Sequence, residues 1–441
     1  MKQKRKLSTI EHILEGNIVC FVRLEGSFHV DRLRSALSRV QRKHPALRAL
    51  IREETDGLYY EADSAPEIPL RIVPRLTEDD YRRECQTELT LDFTYDKPQL
   101  RAVWLHSELE SDLLLTTSHR ICDGMSVFTI LREVLRSLHN DEELIPYEPI
   151  TVRDIIGDYQ PAQPWKRKLA VRLVNGLLQL VPSSRPAPEG NEHYLEWRAD
   201  RAVSDALRQR CKAEGVSVHA ALVVALDRAL FAVFGEKKLP KWIDNQMDPR
   251  RLGLAAALKS DTLFLGGGSF KVRTGQEPDV EFWTRTRAFN KEMRKLIEQE
   301  TLGIPSRFHF LEMLRPPASG QLQSIIRMNY ALRMNDTLSN FPLSNLGNVV
   351  AIDSDAPFRL KDMRLYVHSF KARALGLVTY TLNGEMRFYC ISHEKCMSRS
   401  QVEALKREFM ALLQHNVIQP DGGVSDVPAC SVQSLDNSNH N

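Results

Sequence analysis

The sequence predicts an α/β protein built as two lobes, and three observations carry that prediction. The chain has 441 residues, long for one hydrophobic core. Strand-like and helix-like stretches are mixed in both halves, with no short fixed repeat. A proline-rich stretch, Val181-Pro182-Ser183-Ser184-Arg185-Pro186-Ala187-Pro188-Glu189-Gly190, separates the halves. We therefore divide the chain into a first lobe over 1–182, a linker over 183–193, a second lobe over 194–423 and a polar, disordered tail over 424–441.

In the first lobe, runs of apolar and β-branched residues predict strands near Ile18–Leu24, Leu47–Arg52, Arg101–Leu105 and Leu113–Ser118. Helical spacing predicts helices near Asp31–Lys43 and Met125–Leu138. In the crossover that follows, Trp165, Lys166, Arg167, Lys168 and Arg172 interleave with Leu169, Leu173, Leu177 and Leu180. Two readings fit it: a connecting helix packed on the core with a solvated face, or a basic amphipathic surface for a membrane or an acidic protein.

The second lobe opens with a strand over Tyr194–Trp197 and a helix near Val203–Glu214. An apolar helix follows over Val218–Phe234, with Ser217 placed to cap it. A long helix is expected from Val280 to about Glu298. Leu377–Tyr389 reads as a hairpin turning on Asn383-Gly384, because that pair tolerates the left-handed backbone of a tight turn. A closing helix runs from about Arg399 to Leu413.

Composition narrows the function. Sixty Lys and Arg against 57 Asp and Glu leave a net charge of +3, too even for a nucleic-acid footprint. The cysteines at 20, 85, 122, 211, 390, 396 and 430 form no CxxC pair, which argues for a reducing compartment and against a structural zinc or other metal site. The basic start, Met1-Lys2-Gln3-Lys4-Arg5-Lys6, is followed by no apolar signal core, and no window is expected to span a bilayer. The expected setting is cytoplasmic and the default state a monomer.

The chemistry points to His119-Arg120-Ile121-Cys122-Asp123-Gly124, between the apolar run Leu113–Thr117 and the helix that begins near Met125. A strand end followed by a short turn and a helix presents a base rigidly. A carboxylate four residues on suggests acid–base work. The competing reading of His119 alone is a satisfied histidine at a strand end. Cys122 lacks a separate base and is expected to pack, and His44, His309 and His368 are read as structural. Gly266-Gly267-Gly268 lacks the elbow serine of a hydrolase and reads as a flexible turn.

These residues resemble the HxxxDG signature of the condensation-type, coenzyme-A-dependent acyltransferase superfamily. Further stretches match it in order: Leu7-Ser8-Thr9-Ile10-Glu11, Leu24-Glu25-Gly26, Val30–Leu37, and Arg42-Lys43-His44-Pro45-Ala46-Leu47-Arg48. Met247-Asp248-Pro249-Arg250-Arg251 sits where the family places an arginine after a second-lobe strand. Phe341-Pro342-Leu343-Ser344-Asn345-Leu346-Gly347 is similar to the SNxG segment of the alcohol-acyltransferase and polyketide-associated branches. Two features depart from the pattern: Ser118 stands where many relatives have a second histidine, and the DFGWG motif of plant-type relatives is missing.

The resemblance implies two chloramphenicol-acetyltransferase-like lobes facing one another as a pseudo-dimer, with a tunnel between them. It implies an acyl group moved from coenzyme A or an acyl carrier protein to a hydroxyl, in secondary-metabolite or lipid biosynthesis. His119 would be the general base. Asp123 would either orient the imidazole or turn away to pair with an arginine, for which the resemblance favours Arg250. Gly124 would permit a tight turn and leave room for substrate. Ser344, Asn345 and Gly347 would line the tunnel or the oxyanion site, or simply form a turn. No tightly bound cofactor is expected; the thioester of coenzyme A or of a phosphopantetheinyl carrier is the co-substrate, and an alcohol or amine the acceptor. The alternatives are a stand-alone, amide-forming condensation enzyme and a catalytically silent condensation-like binding domain.

Overall fold

The computed structural model describes residues 3–14, 16–26, 28–182, 192–266, 268–277, 279–316, 321, 324, 340–349, 356–368, 375–394 and 396–418. The expected tail over 424–441 and most of the linker over 183–193 lie outside them.

The first half carries strands β1 (Lys4–Lys6), β2 (Asn17–Gly26), β3 (Leu50–Glu54), β4 (Gly57–Glu61), β5 (Leu70–Pro74), β6 (Leu100–His106) and β7 (Glu110–Ser118). Its helices are α1 (Thr9–Ile13), α2 (Val30–Lys43), α3 (Pro45–Arg48), α4 (Asp80–Thr90), α5 (Gly124–His139), α6 (Val152–Ile156) and α7 (Pro164–Leu180). The second half adds β8 (Glu192–Ala199), β9 (Trp242–Gln246), β10 (Ser269–Arg273), β11 (Asn340–Asn348), β12 (Phe358–His368), β13 (Gly376–Leu382) and β14 (Glu385–His393). Its helices are α8 (Arg201–Ala213), α9 (Val218–Lys238), α10 (Phe282–Met313) and α11 (Arg399–Ile418).

Two large sheets organise these elements, in the orders β12-β2-β7-β6-β5 and β10-β9-β11-β13-β14-β8. Helices α2 and α5 cover one face of the first sheet. Leu33, Leu37 and Val40 meet Val127, Ile130, Leu131 and Val134 over Ile18, Cys20, Val22 and Leu24. Residues of opposite parity, Val19 and Phe21, pack instead with Tyr81 and Cys85 of α4 and with Tyr389 and Ile391 of the second sheet. Strand β2 is thus apolar on both faces, which is why its sequence is a continuous run and not an alternation.

Strand β12 departs from the expected lobe boundary. It pairs antiparallel with β2, from Phe358 opposite Gly26 to His368 opposite Asn17, and so belongs to the first-lobe sheet although it lies within 194–423. The free edge of β2 needs hydrogen-bond partners, and β12 supplies them while burying Phe358, Leu360, Met363 and Leu365 in the first core. Leu263 and Leu346 reach into the same core.

Other expectations need adjusting. Helix α10 continues past Glu298 and through Pro305 to Met313. Proline there removes one helical hydrogen bond, but Ile304 and Phe308 gain burial in the second core, worth roughly 1.5–3 kcal/mol per large side chain. Helix α9 is long and apolar enough to cross a membrane, contrary to expectation, yet Ala220–Leu226 are buried in the second-lobe core. Ser217 caps it through Ala220 N (3.1 Å), and its backbone breaks at Gly235 (φ +62°), just past Phe234. The hairpin closes on Asn383 (φ +50°) and Gly384 (φ +85°) as expected. At Gly268 an added Cβ would lie 2.6 Å from the Met247 methyl and 2.9 Å from Ile304 Cδ1, so those side-chain ends would have to move, while Gly267 of the expected turn lies outside the described residues. In α7 only Val171 is buried, while Trp165, Leu169, Leu173, Leu177 and Leu180 face outward, which overturns the core-packed reading of the crossover.

Candidate active site

His119 follows the last residue of β7, and its N–H donates to Gly16 O just ahead of β2 (2.9 Å). The chain then turns, and Asp123 becomes the N-cap of α5, with extended backbone (φ −100°, ψ −178°) and its Oδ1 accepting from Ser126 N (2.8 Å). A carboxylate at a helix N-terminus satisfies an otherwise orphaned N–H and meets the positive end of the helix dipole. The five residues from His119 to Asp123 therefore span a strand end and a helix cap, both held by main-chain hydrogen bonds.

The Asp123 carboxylate also receives Arg250 from the second lobe. Arg250 Nη1 donates to Asp123 Oδ2 (2.9 Å) and Nη2 to Oδ1 (3.0 Å), a bidentate pair. The rest of the guanidinium is also held: Nη1 donates to Asp248 (2.9 Å), Nη2 to Ser126 Oγ (2.6 Å) and Nε to Thr262 O (2.8 Å). The Arg250 side chain is only 2% exposed, so solvent screens the pair little. Burial alone would raise the Asp123 pKa, but Arg250 and the Ser126 hydrogen bonds outweigh it and hold the carboxyl below its ordinary range. Asp123 is thus committed to the turn and to the contact between lobes.

His119 is left without that carboxylate as a hydrogen-bonded partner. Its Nδ1 is buried and makes no hydrogen bond among the described residues, whereas Nε2 keeps solvent access. Burial pushes the imidazole pKa down; its own main chain and the charge of Asp123 pull less strongly the other way. The ring is therefore neutral at pH 7, with a lone pair able to accept a proton. Cys122 is buried against Thr117 Oγ1, and burial raises its thiol to about 12, so it is no nucleophile at neutral pH.

Gly124 does not make the tight turn that was expected of it. It is the first residue of α5 and does not have a positive φ, so no tight turn demands glycine. An added Cβ would meet both Leu346 methyls at 3.5 Å and a Leu365 methyl at 3.9 Å, ordinary contact distances. Leu346 is thus the part of the Ser344–Gly347 segment that touches the motif. Ser344 and Asn345 lie on β11, where the pairing with β13 slips between Asn345 and Asn348. Asn345 Oδ1 accepts from Gly347 N (3.1 Å), and Gly347 takes a left-handed φ of +69°, so Asn345 stabilises a bulge.

Sequence reasoning missed two groups. Ser126 bridges Asp123 and Arg250, and a serine at the third helical position was its only sequence signal. A second buried inter-lobe network surrounds His44. Its Nε2 contacts Glu133 (2.6 Å) and its Nδ1 contacts Tyr147 Oη (2.9 Å), while Lys43 Nζ donates to Glu133 and Asp261 (2.6 Å each). His44 is structural but well partnered. His368 contacts Glu192 (3.0 Å), and His309 packs edge-on against Tyr159. Between the two sheets lies a cavity of about 600 Å³ lined by Arg23, Glu196, Asp362, Arg364, Arg387 and neighbours. It sits about 20 Å along β2 from the His119 end, six residues at roughly 3.3 Å each.

The condensation-domain family model matches residues 16–239, about half of the chain. A nonribosomal peptide synthetase of Aspergillus flavus is 27% identical over 214 residues, 43% of this chain and 3% of the synthetase. Cyclosporin synthetase of Tolypocladium inflatum is 30% identical over 229 residues, 48% of this chain and 2% of the synthetase. The chain therefore spans only a few per cent of the length of these relatives.

Among solved structures, the condensation domain of the Monacolin K polyketide synthase MokA superposes with a TM-score of 0.67 at 11% identity, covering 95% of this chain and 98% of that one. Trichothecene 15-O-acetyltransferase of Fusarium sporotrichioides gives 0.65 at 12% (93% and 95% covered). Polyketide synthase associated protein 5 of Mycobacterium tuberculosis gives 0.64 at 13% (93% and 98%). At these identities the superpositions establish the fold alone. With His119, Asp123 and Gly124 inside the matched span, this chain belongs to the condensation-domain family.

Proposed function

We propose that the protein is an acyltransferase moving an acyl group from a thioester of coenzyme A, or of a carrier protein, to a hydroxyl acceptor. One observation carries the reading: a neutral imidazole with accessible Nε2 sits on a turn that Arg250 clamps through Asp123. His119 Nε2 takes the hydroxyl proton as the acceptor oxygen attacks the thioester carbonyl. The tetrahedral intermediate collapses, the C–S bond breaks, and the imidazolium returns the proton to the leaving thiolate. No covalent acyl-enzyme is needed, consistent with the high pKa of Cys122. Asp123 and Arg250 are positioning residues. A cytoplasmic, monomeric enzyme of secondary-metabolite or lipid biosynthesis fits this chemistry, and the buried thiols Cys20, Cys85, Cys122, Cys211 and Cys390 suit a reducing compartment.

The two synthetase relatives favour a second reading, in which the donor is bound to a carrier and the acceptor is an amine. Thiol release separates the two. Purified protein is given acyl-coenzyme A or acyl-carrier donors with alcohols or amines. We expect acceptor-dependent release that His119→Ala lowers by about 10²–10⁴-fold without loss of folding. Release with amines and carrier donors only would establish the second reading. Release unchanged in His119→Ala refutes both, and none with any donor favours a silent binding domain.

A further inference from the structure

We propose that helix α7 is an in-plane anchor that binds anionic lipid bilayers, a surface separate from the His119 site. Among the described residues, the hydrogen bonds and the buried side chain that fix the helix to the body lie along one side. Arg167 donates to Ser306 O (2.9 Å) and Oγ (2.8 Å) of α10 and to Tyr159 Oη (3.1 Å). Asn175 Oδ1 accepts from Arg315 N (2.9 Å), and Val171 is buried. On the opposite side Trp165, Leu169, Leu173, Leu177 and Leu180 are 64, 50, 61, 65 and 79% exposed. At 100° per residue these five fall within one arc of about 120°, and the helix carries them along about 25 Å. Scattered surface leucines are normal, whereas a continuous ridge of this length marks an interaction surface.

Charge identifies the partner. Pro164–Leu180 holds four basic residues and no acidic one, in a chain whose net charge is only +3. Lys168 and Arg172 lie along one margin of the apolar arc and Lys166 lies near the other, all exposed, so their heads reach the phosphate layer when the ridge is submerged. Leu302 of α10, one turn from the Ser306 that anchors α7, is also 76% exposed. A groove of about 580 Å³ opens beside Lys166, lined by Tyr159, Pro161, Arg167, Ala170 and Phe310, with room for a headgroup. A second copy of α7 would bring no counter-charge to these cations. A protein partner would need a 25 Å apolar trough flanked by acids, whereas an anionic bilayer supplies apolar depth and negative charge in one plane.

The test is co-sedimentation of the full chain with vesicles of phosphatidylcholine, with or without about 30% phosphatidylglycerol. Wild type is expected to bind the anionic vesicles, to release at high salt, and to bind neutral ones weakly. Leu169→Ser, Leu173→Ser and Leu177→Ser together should lower partitioning by about tenfold or more. Lys166→Glu, Lys168→Glu and Arg172→Glu together should remove the preference for anionic lipid. Trp165 is the most exposed tryptophan, so quenching of its emission by brominated lipid reads insertion in unsubstituted protein. Wild type that ignores anionic vesicles, or serine substitutions that leave binding unchanged, would overturn the proposal. So would a concentration-dependent dimer, or a complex with an acidic carrier protein, that forms without vesicle binding and is lost in the serine variant.

Discussion

Replacing Arg250 with alanine probes the clamp between the lobes. The substitution removes two hydrogen bonds to Asp123, one each to Asp248, Ser126 and the Thr262 and Phe264 carbonyls, and a guanidinium 2% exposed. Asp123 keeps its two 2.8 Å hydrogen bonds from Ser126 but becomes a largely buried carboxylate, 23% exposed, without a counter-charge. Stranding one member of such a pair costs about 3–5 kcal/mol. For lobes of this size that lowers the thermal midpoint on the order of 10 °C. In the wild type the folded Asp123 pKa is depressed, so its contribution is complete above the unfolded value of about 3.9 and disappears as pH falls through the lower folded value. In Arg250→Ala only the Ser126 hydrogen bonds still oppose burial, so the Asp123 pKa rises and protonation relieves part of the strain. The gap between the two melting temperatures should therefore narrow between pH 7 and pH 5. Calorimetry across that range measures it. A loss below about 1 kcal/mol at pH 7, or a gap that widens on acidification, would refute the argument.

Three further outcomes follow. The acidic limb of the kcat/KM profile should lie below the ordinary histidine value of about 6.5, because burial lowers the His119 pKa and keeps the base form down to that limb; a limb at or above 7 would count against it. Gly124→Ala should leave the melting temperature unchanged or raise it by the equivalent of up to about 1 kcal/mol, since its Cβ meets only ordinary contacts; any fall in turnover would then report lost space beside Leu346. Lys43→Met leaves Glu133 buried beside His44 without its lysine and should cost about 3–5 kcal/mol, read by urea unfolding, whereas adding Glu133→Gln should recover part of that loss.

Much of the site was legible because its information is local. The strand before His119, the carboxylate cap at Asp123 and the apolar face of α5 follow from residues within about 25 positions of one another. The Asn383-Gly384 turn and the Ser217 cap were readable for the same reason, each set by a backbone preference of one or two residues. The tight-turn reading of Gly124 failed because HxxxDG does not carry the backbone angle of its glycine, and what the position faces is Leu346, 222 positions away.

By itself the sequence determined the α/β class, the order of most elements and the presence of a histidine beside an acidic helix cap. Tertiary structure alone decided that β12 completes the first-lobe sheet and that the α7 leucines point outward, while for Asp123 it gave the Arg250 pairing that the resemblance had favoured over the imidazole. The physical reason is the same each time. Local spacing sets which face of an element is apolar, but what that face meets depends on contacts between residues hundreds of positions apart.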